Sequence, residues 1–291
     1  MVAPITIYKV DGDKAIEQPD LLAVEEPLEI RLGFGPHDAA MGSERQQRTV
    51  VVTMRTPGYD EELALGYLFT EGIIHDPGEI VSARHCVRDA EKKGNILRVE
   101  LRPDVDIDWQ HLERTSYASA SCGVCGKASI DAVRANCPRP LSADLAIDPL
   151  LIHTLSDRLR AVQRTFAYTG GLHAAALFDA HGELQYVRED IGRHNALDKI
   201  IGAAFWNGQT PLSQHGVFLS GRIGFELVQK AWMAGVSVVA AVGAPSSLAV
   251  ELAQEAGMTL IGFVRNNRFN IYTHPDRIPF SVSGVKSVVQ A

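Results

Sequence analysis

Two cysteines three positions apart carry the most reactive chemistry in this chain. Cys122 and Cys125 stand in Ser121-Cys122-Gly123-Val124-Cys125-Gly126-Lys127. The pattern of residues 128–135 predicts a helix, which puts both cysteines at or just before its N-terminus. The partial positive charge there, with Lys127, favours the thiolate. A thiolate attacks sulfur and also binds metal, and the flanking glycines let the segment bend. Three chemistries compete for the pair. A thioredoxin-like redox couple needs a buried strand just before it, and residues 115–121, rich in serine, make a poor one. Structural zinc needs two further ligands, for which Cys137, Cys86 or a histidine are candidates, but a second Cys-x-x-Cys is missing. The remaining chemistry is a nucleophilic thiolate that carries sulfur as a persulfide between two partners.

A second group of residues is suited to an anion. Phe263-Val264-Arg265-Asn266-Asn267-Arg268 begins at the end of a predicted strand, where open α/β sheets bind ligands. Arg265 and Arg268 can fork onto phosphate oxygens, and Asn266 and Asn267 can read a base edge or sugar hydroxyls. The same residues also suit a plain polar turn between two strands. Ser220-Gly221-Arg222 follows another predicted strand and leads into a helix, placing Arg222 at the same edge as Arg265. The run Arg188-Glu189-Asp190-Ile191-Gly192-Arg193-His194-Asn195 packs polar groups between a strand and an amphipathic helix. There Asp190 or His194 can handle a proton or touch a ligand, or the run can be a capping and salt-bridge cluster. His173, on an apolar strand, reads as a core histidine.

The elements that must position these groups follow from periodicity. Residues 28–32 and 97–101 alternate as half-buried strands do, and residues 48–54 give a third. Pro57-Gly58 makes a turn, Asp60 is expected to cap a helix that starts at Glu61, and Gly72 ends it. Residues 103–121 look like a connector. Beyond residue 147 two apolar runs flank a turn at 179–182, and strands then alternate with helices. These include a helix with Asn195 as its expected cap, a strand at 216–220, a helix stopping at Gly235, a strand at 236–242 apolar but for Ser237, a helix from Ser247 to Gly257, and a strand at 259–264. The expected fold is therefore α/β. A small α+β domain spans residues 1–115, the cysteine segment and a helix span 116–146, and a larger α/β domain, the cofactor-binding candidate, spans 147–291.

Composition narrows the function classes. The chain has 291 residues, 46% hydrophobic and 22% charged, with a net charge of −7, which argues against wholesale nucleic-acid binding. The apolar run at 236–244 is far short of the roughly 20 residues of a spanning helix, so no membrane association is expected. Four cysteines in this length do not make a disulfide framework, and the N-terminus shows no secretory pattern. A cytoplasmic protein is expected.

Several blocks, in one order, resemble the FdhD family of formate dehydrogenase accessory proteins. They are Met54-Arg55-Thr56-Pro57-Gly58, Asp60-Glu61-Glu62-Leu63-Ala64-Leu65-Gly66, Glu71-Gly72-Ile73-Ile74 and Ser121-Cys122-Gly123-Val124-Cys125-Gly126. After these come Thr169-Gly170-Gly171-Leu172-His173, the run from Arg188 to Lys199, Ser220-Gly221-Arg222, Pro245-Ser246-Ser247 and Gly262-Phe263-Val264-Arg265. The resemblance implies a sulfurtransferase that takes persulfide sulfur from a cysteine desulfurase. The acceptor would be the molybdenum (or tungsten) cofactor, bis-molybdopterin guanine dinucleotide, bound in part through its guanine nucleotide and passed on to formate dehydrogenase. It further implies a homodimer and a three-layer second domain of cytidine-deaminase-like type without a metal site, in keeping with Ser121 where deaminase chemistry wants proline. By motif position Cys122 would bear the persulfide, with Cys125 assisting. The cofactor would lie on Phe263, Val264, Arg265, Asn266, Asn267 and Arg268, and Arg222 and His194 are the further candidates. Two other readings stay open, a non-enzymatic cofactor chaperone and a zinc-stabilised binding module.

Overall fold

The computed structural model describes residues 2–36, 45–86, 94–109, 141 and 145–280. Cys122, Cys125, Cys137 and the helix expected at 128–135 lie outside the described residues.

The chain opens with a two-stranded antiparallel ribbon, β1 (Val2–Asp11) and β2 (Lys14–Ala23), that joins neither of the other sheets. Next come β3 (Glu26–Phe34), β4 (Gln46–Arg55), α1 (Asp60–Thr70), β5 (Ile80–His85) and β6 (Ile96–Leu101). These four strands form one sheet in the order β4-β3-β6-β5, with β3 parallel to β6 and the other pairs antiparallel. The alternation predicted from sequence is what buries it: Leu28, Ile30 and Leu32 of β3 face Leu97, Val99 and Leu101 of β6 in a dry core under α1.

The second unit begins with α2 (Pro149–Val162) and α3 (Arg164–Thr169), which periodicity alone left unassigned. Asp148 accepts a hydrogen bond from the Leu150 N–H at 2.8 Å, Pro149 fills the first turn, and Ile152, Leu155 and Leu159 form the buried stripe. Then follow β7 (His173–Phe178), β8 (Leu184–Asp190), α4 (Arg193–Trp206), β9 (Gly216–Leu219), α5 (Phe225–Met233), β10 (Val238–Ala241), α6 (Ser247–Ala256), β11 (Thr259–Arg265) and β12 (Arg268–Thr273). The six-stranded order is β12-β11-β10-β9-β7-β8, with β9, β10 and β11 mutually parallel. Val239 and Ala241 of β10 pack under α4, α5 and α6, while Val238 and Ala240 pack under α2. That makes three layers, as expected, and explains why this strand is apolar on both faces.

The two units meet along α1 and α4. A Cβ on Gly66 would overlap the Asp198 carbonyl, and one on Gly202 would overlap the Glu62 carbonyl. The helix backbones therefore touch directly, and α1 is buried on both sides, with Phe205 of α4 reaching into the first core. Two expected caps serve tertiary partners instead. Asp60 is the first helical residue, after Tyr59, and receives the Arg55 guanidinium at 2.9 and 3.1 Å. The cap of α4 is Gly192; the Asn195 side chain reaches away to the Met54 carbonyl at 2.7 Å. Gly202→Ala should force the helices apart and lower stability by about 1–3 kcal/mol or more, read as an earlier midpoint in chemical denaturation.

Candidate functional site

Three parallel strands ending together make one edge of the large sheet the natural place for a ligand. The carboxyl ends of β9, β10 and β11 are tied across it by backbone bonds. Gly243 N–H donates to the Gly221 carbonyl at 3.1 Å, and Phe263 N–H donates to the Gly243 carbonyl at 3.1 Å. β7 runs the other way, so its first residue, His173, reaches the same edge. The His173 ring packs against Gly221, where a Cβ would sit 3.1 Å from Nδ1. Arg193 and His194, at the start of α4, and Arg222 add their charges around it. Burial first, then these three neighbours, holds the His173 pKa below its ordinary value of 6.5, with Asp190 opposing.

His173 lines a cavity of about 490 Å³ walled by α2, α3 and the glycine turn before β7. Asp157, Arg160, Gln163 and Phe166 supply polar and aromatic groups, and Ser220 closes the side toward β9. Arg160 stacks its guanidinium 4.1 Å over the Phe166 ring. The short α3 is held by Glu189 of β8, whose carboxylate accepts the N–H groups of Thr165 and Phe166 at 2.9 and 2.8 Å. Concave shape, an aromatic wall and surrounding cations suit an anionic ligand with a planar group.

The dense polar run divides into residues that lock the fold and residues that face this edge. Asp190 is fully buried; its carboxylate takes Lys199 Nζ at 2.7 Å, the N–H groups of Gly192 and Thr56 at 2.8 and 3.2 Å, and Asn195 Nδ2 at 3.0 Å. Lys199, also buried, donates onward to the Thr56 carbonyl at 2.9 Å. Arg188 forks onto Glu62 of α1 while lying 3.9 Å over the Tyr59 ring. Asp198 receives Thr70 Oγ1 and Lys230 Nζ, each at 3.0 Å. Burial works against the Lys230 ammonium, yet Asp198 and Glu71 beside it hold its pKa above the ordinary lysine value. Asp190 is thus a structural anchor of the junction. Arg193 and His194 are left toward the edge, and His194 Nε2 pairs with Glu226 at 2.9 Å. That hydrogen bond, against the cost of burial, holds Glu226 below the ordinary carboxylate range.

The arginine–asparagine segment forms the turn between β11 and β12. Asn266 and Asn267 both have φ near +53°, and Arg265 pairs with Arg268 across them, a two-residue hairpin turn of the kind asparagine tolerates. Arg265, Asn266, Asn267 and Arg268 are exposed, Phe263 is half-buried, and Val264 lies wholly in the core under α2. A contact from Val264 to a ligand would therefore be through its backbone. Arg222 is exposed at the edge. The structure thus brings His194, Arg222, Phe263 and Arg265 to one edge, although the hairpin residues do not line the cavity. His173, expected in the core, is half-buried and lines the cavity, and the α2–α3 wall was missed from sequence; the Asp148-Pro149 start with apolar residues at 152, 155 and 159 was the available signal for α2.

Two outcomes follow. Lys199→Met leaves Asp190 charged and unpaired in the core and should cost about 3–5 kcal/mol in denaturant unfolding. For His173 the folded pKa is depressed, so the unfolded chain binds the proton more tightly. His173 therefore subtracts stability as pH falls below 6.5. The thermal midpoint of His173→Gln should lose less on moving from pH 7 to 5 than that of the unmodified protein.

Comparison with known proteins adds identity to this geometry. The family model described as "FdhD/NarQ family" matches residues 36–279. A sulfur carrier protein FdhD from Streptomyces coelicolor is 47% identical over 277 residues, 94% of each chain. One from Mycobacterium tuberculosis is 46% identical over 281 residues, 94% of this chain and 96% of its own. A third, from Saccharolobus solfataricus, is 38% identical over 273 residues, 94% of this chain and 96% of its own. Among solved structures, one from Desulfotalea psychrophila described as a formate dehydrogenase accessory protein superimposes with a TM-score of 0.72. It covers 96% of this chain and 99% of its own at 23% identity, and so speaks for the fold.

Proposed function

Because the chain belongs to the FdhD/NarQ family, we propose that it is a sulfur carrier serving formate dehydrogenase. Its task is to take persulfide sulfur from a cysteine desulfurase and give it to bis-molybdopterin guanine dinucleotide. The observation that carries this reading is the 46–47% identity, across nearly the whole chain, to proteins described as sulfur carriers. The basic edge supports the anionic half of it. Arg222, Arg265 and Arg268 would take phosphate oxygens, Asn266 and Asn267 the guanine edge or sugar hydroxyls, and His194 with Phe263 would complete the rim.

Sulfur chemistry falls to the Cys122-Gly123-Val124-Cys125 pair. The Cys122 thiolate attacks the terminal sulfur of the donor persulfide; a new S–S bond forms, the donor S–S bond breaks, and the donor cysteine leaves as thiolate. Attack of the Cys125 thiolate on Cys122 sulfur then releases the carried sulfur as sulfide and leaves a Cys122–Cys125 disulfide. The two thiolates supply both electrons, and a cellular dithiol restores them. The protein works as a cytoplasmic homodimer in this reading.

Cells lacking their own family member, given this chain, should recover formate dehydrogenase activity. Cys122→Ala should abolish recovery, a loss of at least about a hundredfold for removal of a nucleophile, while the variant still accumulates folded. Full recovery with Cys122→Ala would overturn the carrier role and leave a cofactor chaperone.

A further inference from the structure

The β1–β2 ribbon is the part of the molecule whose construction the reading above leaves unused. It stands apart from both larger sheets, and among the described residues its base meets the body where Ala23 lies against Gly171 just after α3. Exposure rises outward. Val2, Ile5 and Leu22 near the base are 39–47% exposed, whereas Tyr8, Val10 and Ile16 near the tip are 66–70% exposed. The register puts Tyr8 and Val10 on one face and Ile16, opposite Lys9, on the other, so large apolar groups stand on both sides. A two-stranded ribbon alone is marginal in water, and one that shows apolar side chains at its tip is made to be covered.

Its edges and dimensions indicate what covers it. Pro4 in β1 and Pro19 in β2 remove N–H groups from the ribbon, which disfavours extension by a further strand and leaves the faces for docking. Ten residues per strand at about 3.4 Å, and a width of about 10 Å, give each face about 340 Å². One such face against an unrelated partner falls far short of the roughly 800 Å² per partner of a specific complex. Two identical arms exchanged about a two-fold double it: each copy buries its own arm face and the surface receiving the other, about 700 Å² in all. We propose that the β1–β2 ribbon is an exchanged dimerisation arm whose apolar tip, Tyr8, Val10 and Ile16, docks on a second copy of this chain. Because its base leans on the α3 segment that walls the His173 cavity, the arm also ties the dimer to that wall. This inference rests on the homodimer reading above and adds the surface that forms it.

The test is sedimentation velocity of the full chain beside the triple variant Tyr8→Ser, Val10→Ser, Ile16→Ser, with the far-ultraviolet spectrum and melting curve as folding controls. The expected result is a dimer for the unmodified chain and a monomer for the variant, both with the same melting behaviour of the main body. In case the ribbon itself melts in the variant, a second protein carries p-benzoylphenylalanine at position 8. Illumination should then join two copies into a species of twice the chain mass. A variant that stays dimeric, or no cross-link within a dimer, overturns the arm while leaving the homodimer standing. A monomeric unmodified chain overturns both, and touches neither sulfur loading of Cys122 nor the carrier reading.

Discussion

Direct contact between two helix backbones governs this molecule. At Gly66 and Gly202, α1 and α4 approach so closely that a single methyl on either would strike a carbonyl of the other helix. Everything else at the junction presumes that distance. The Thr70–Asp198 bond, the Lys230–Glu71 pair and the Arg188–Glu62 fork all link groups that meet only with the two units in contact. Each buried charge there is both paired and further hydrogen-bonded, the condition under which buried ions are tolerable. Since α4 starts with Arg193 and His194, the first domain indirectly fixes two side chains of the candidate edge.

The legible parts of the sequence were those where one physical force dominates. Alternation exposed β3 and β6, and unbroken apolarity exposed β10, because burial on one face or on two leaves a simple period. Polar residues were harder, since one side chain suits several partners. Asn195 and Asp60 have the composition of caps, yet tertiary partners claimed them: the Met54 carbonyl for one, the Arg55 guanidinium for the other. Asp190 has the composition of a catalytic carboxylate and proves to be an anchor. The β1–β2 ribbon escaped notice because neither of its faces is buried, so no period was imposed on it.

The candidate edge was half legible. Strand ends predicted the places of Arg222 and Arg265, and the parallel order of β9, β10 and β11 brings them to one side. The cavity was not foreseen. Its walls come from α2, α3 and the Gly170–Gly171 turn that follows them, it is closed by Ser220 and Val242 from distant strand ends, and its histidine sits in an otherwise apolar strand. Asn266 and Asn267 serve the hairpin turn through their backbone, which leaves their side chains outward beside two arginines. Turn chemistry and ligand chemistry ask for the same residue type at the same place, and this is why sequence alone could not separate them.

In this account the fold holds a basic edge ready for an anionic cofactor while the Cys122 segment brings sulfur to it. Intact-mass spectrometry after exposure to a cysteine desulfurase and cysteine examines the central step directly. The unmodified chain should gain one sulfur that a reducing thiol removes, and Cys122→Ala should gain none. An unmodified chain that gains no sulfur, or a Cys122→Ala chain that gains as much, would contradict the account.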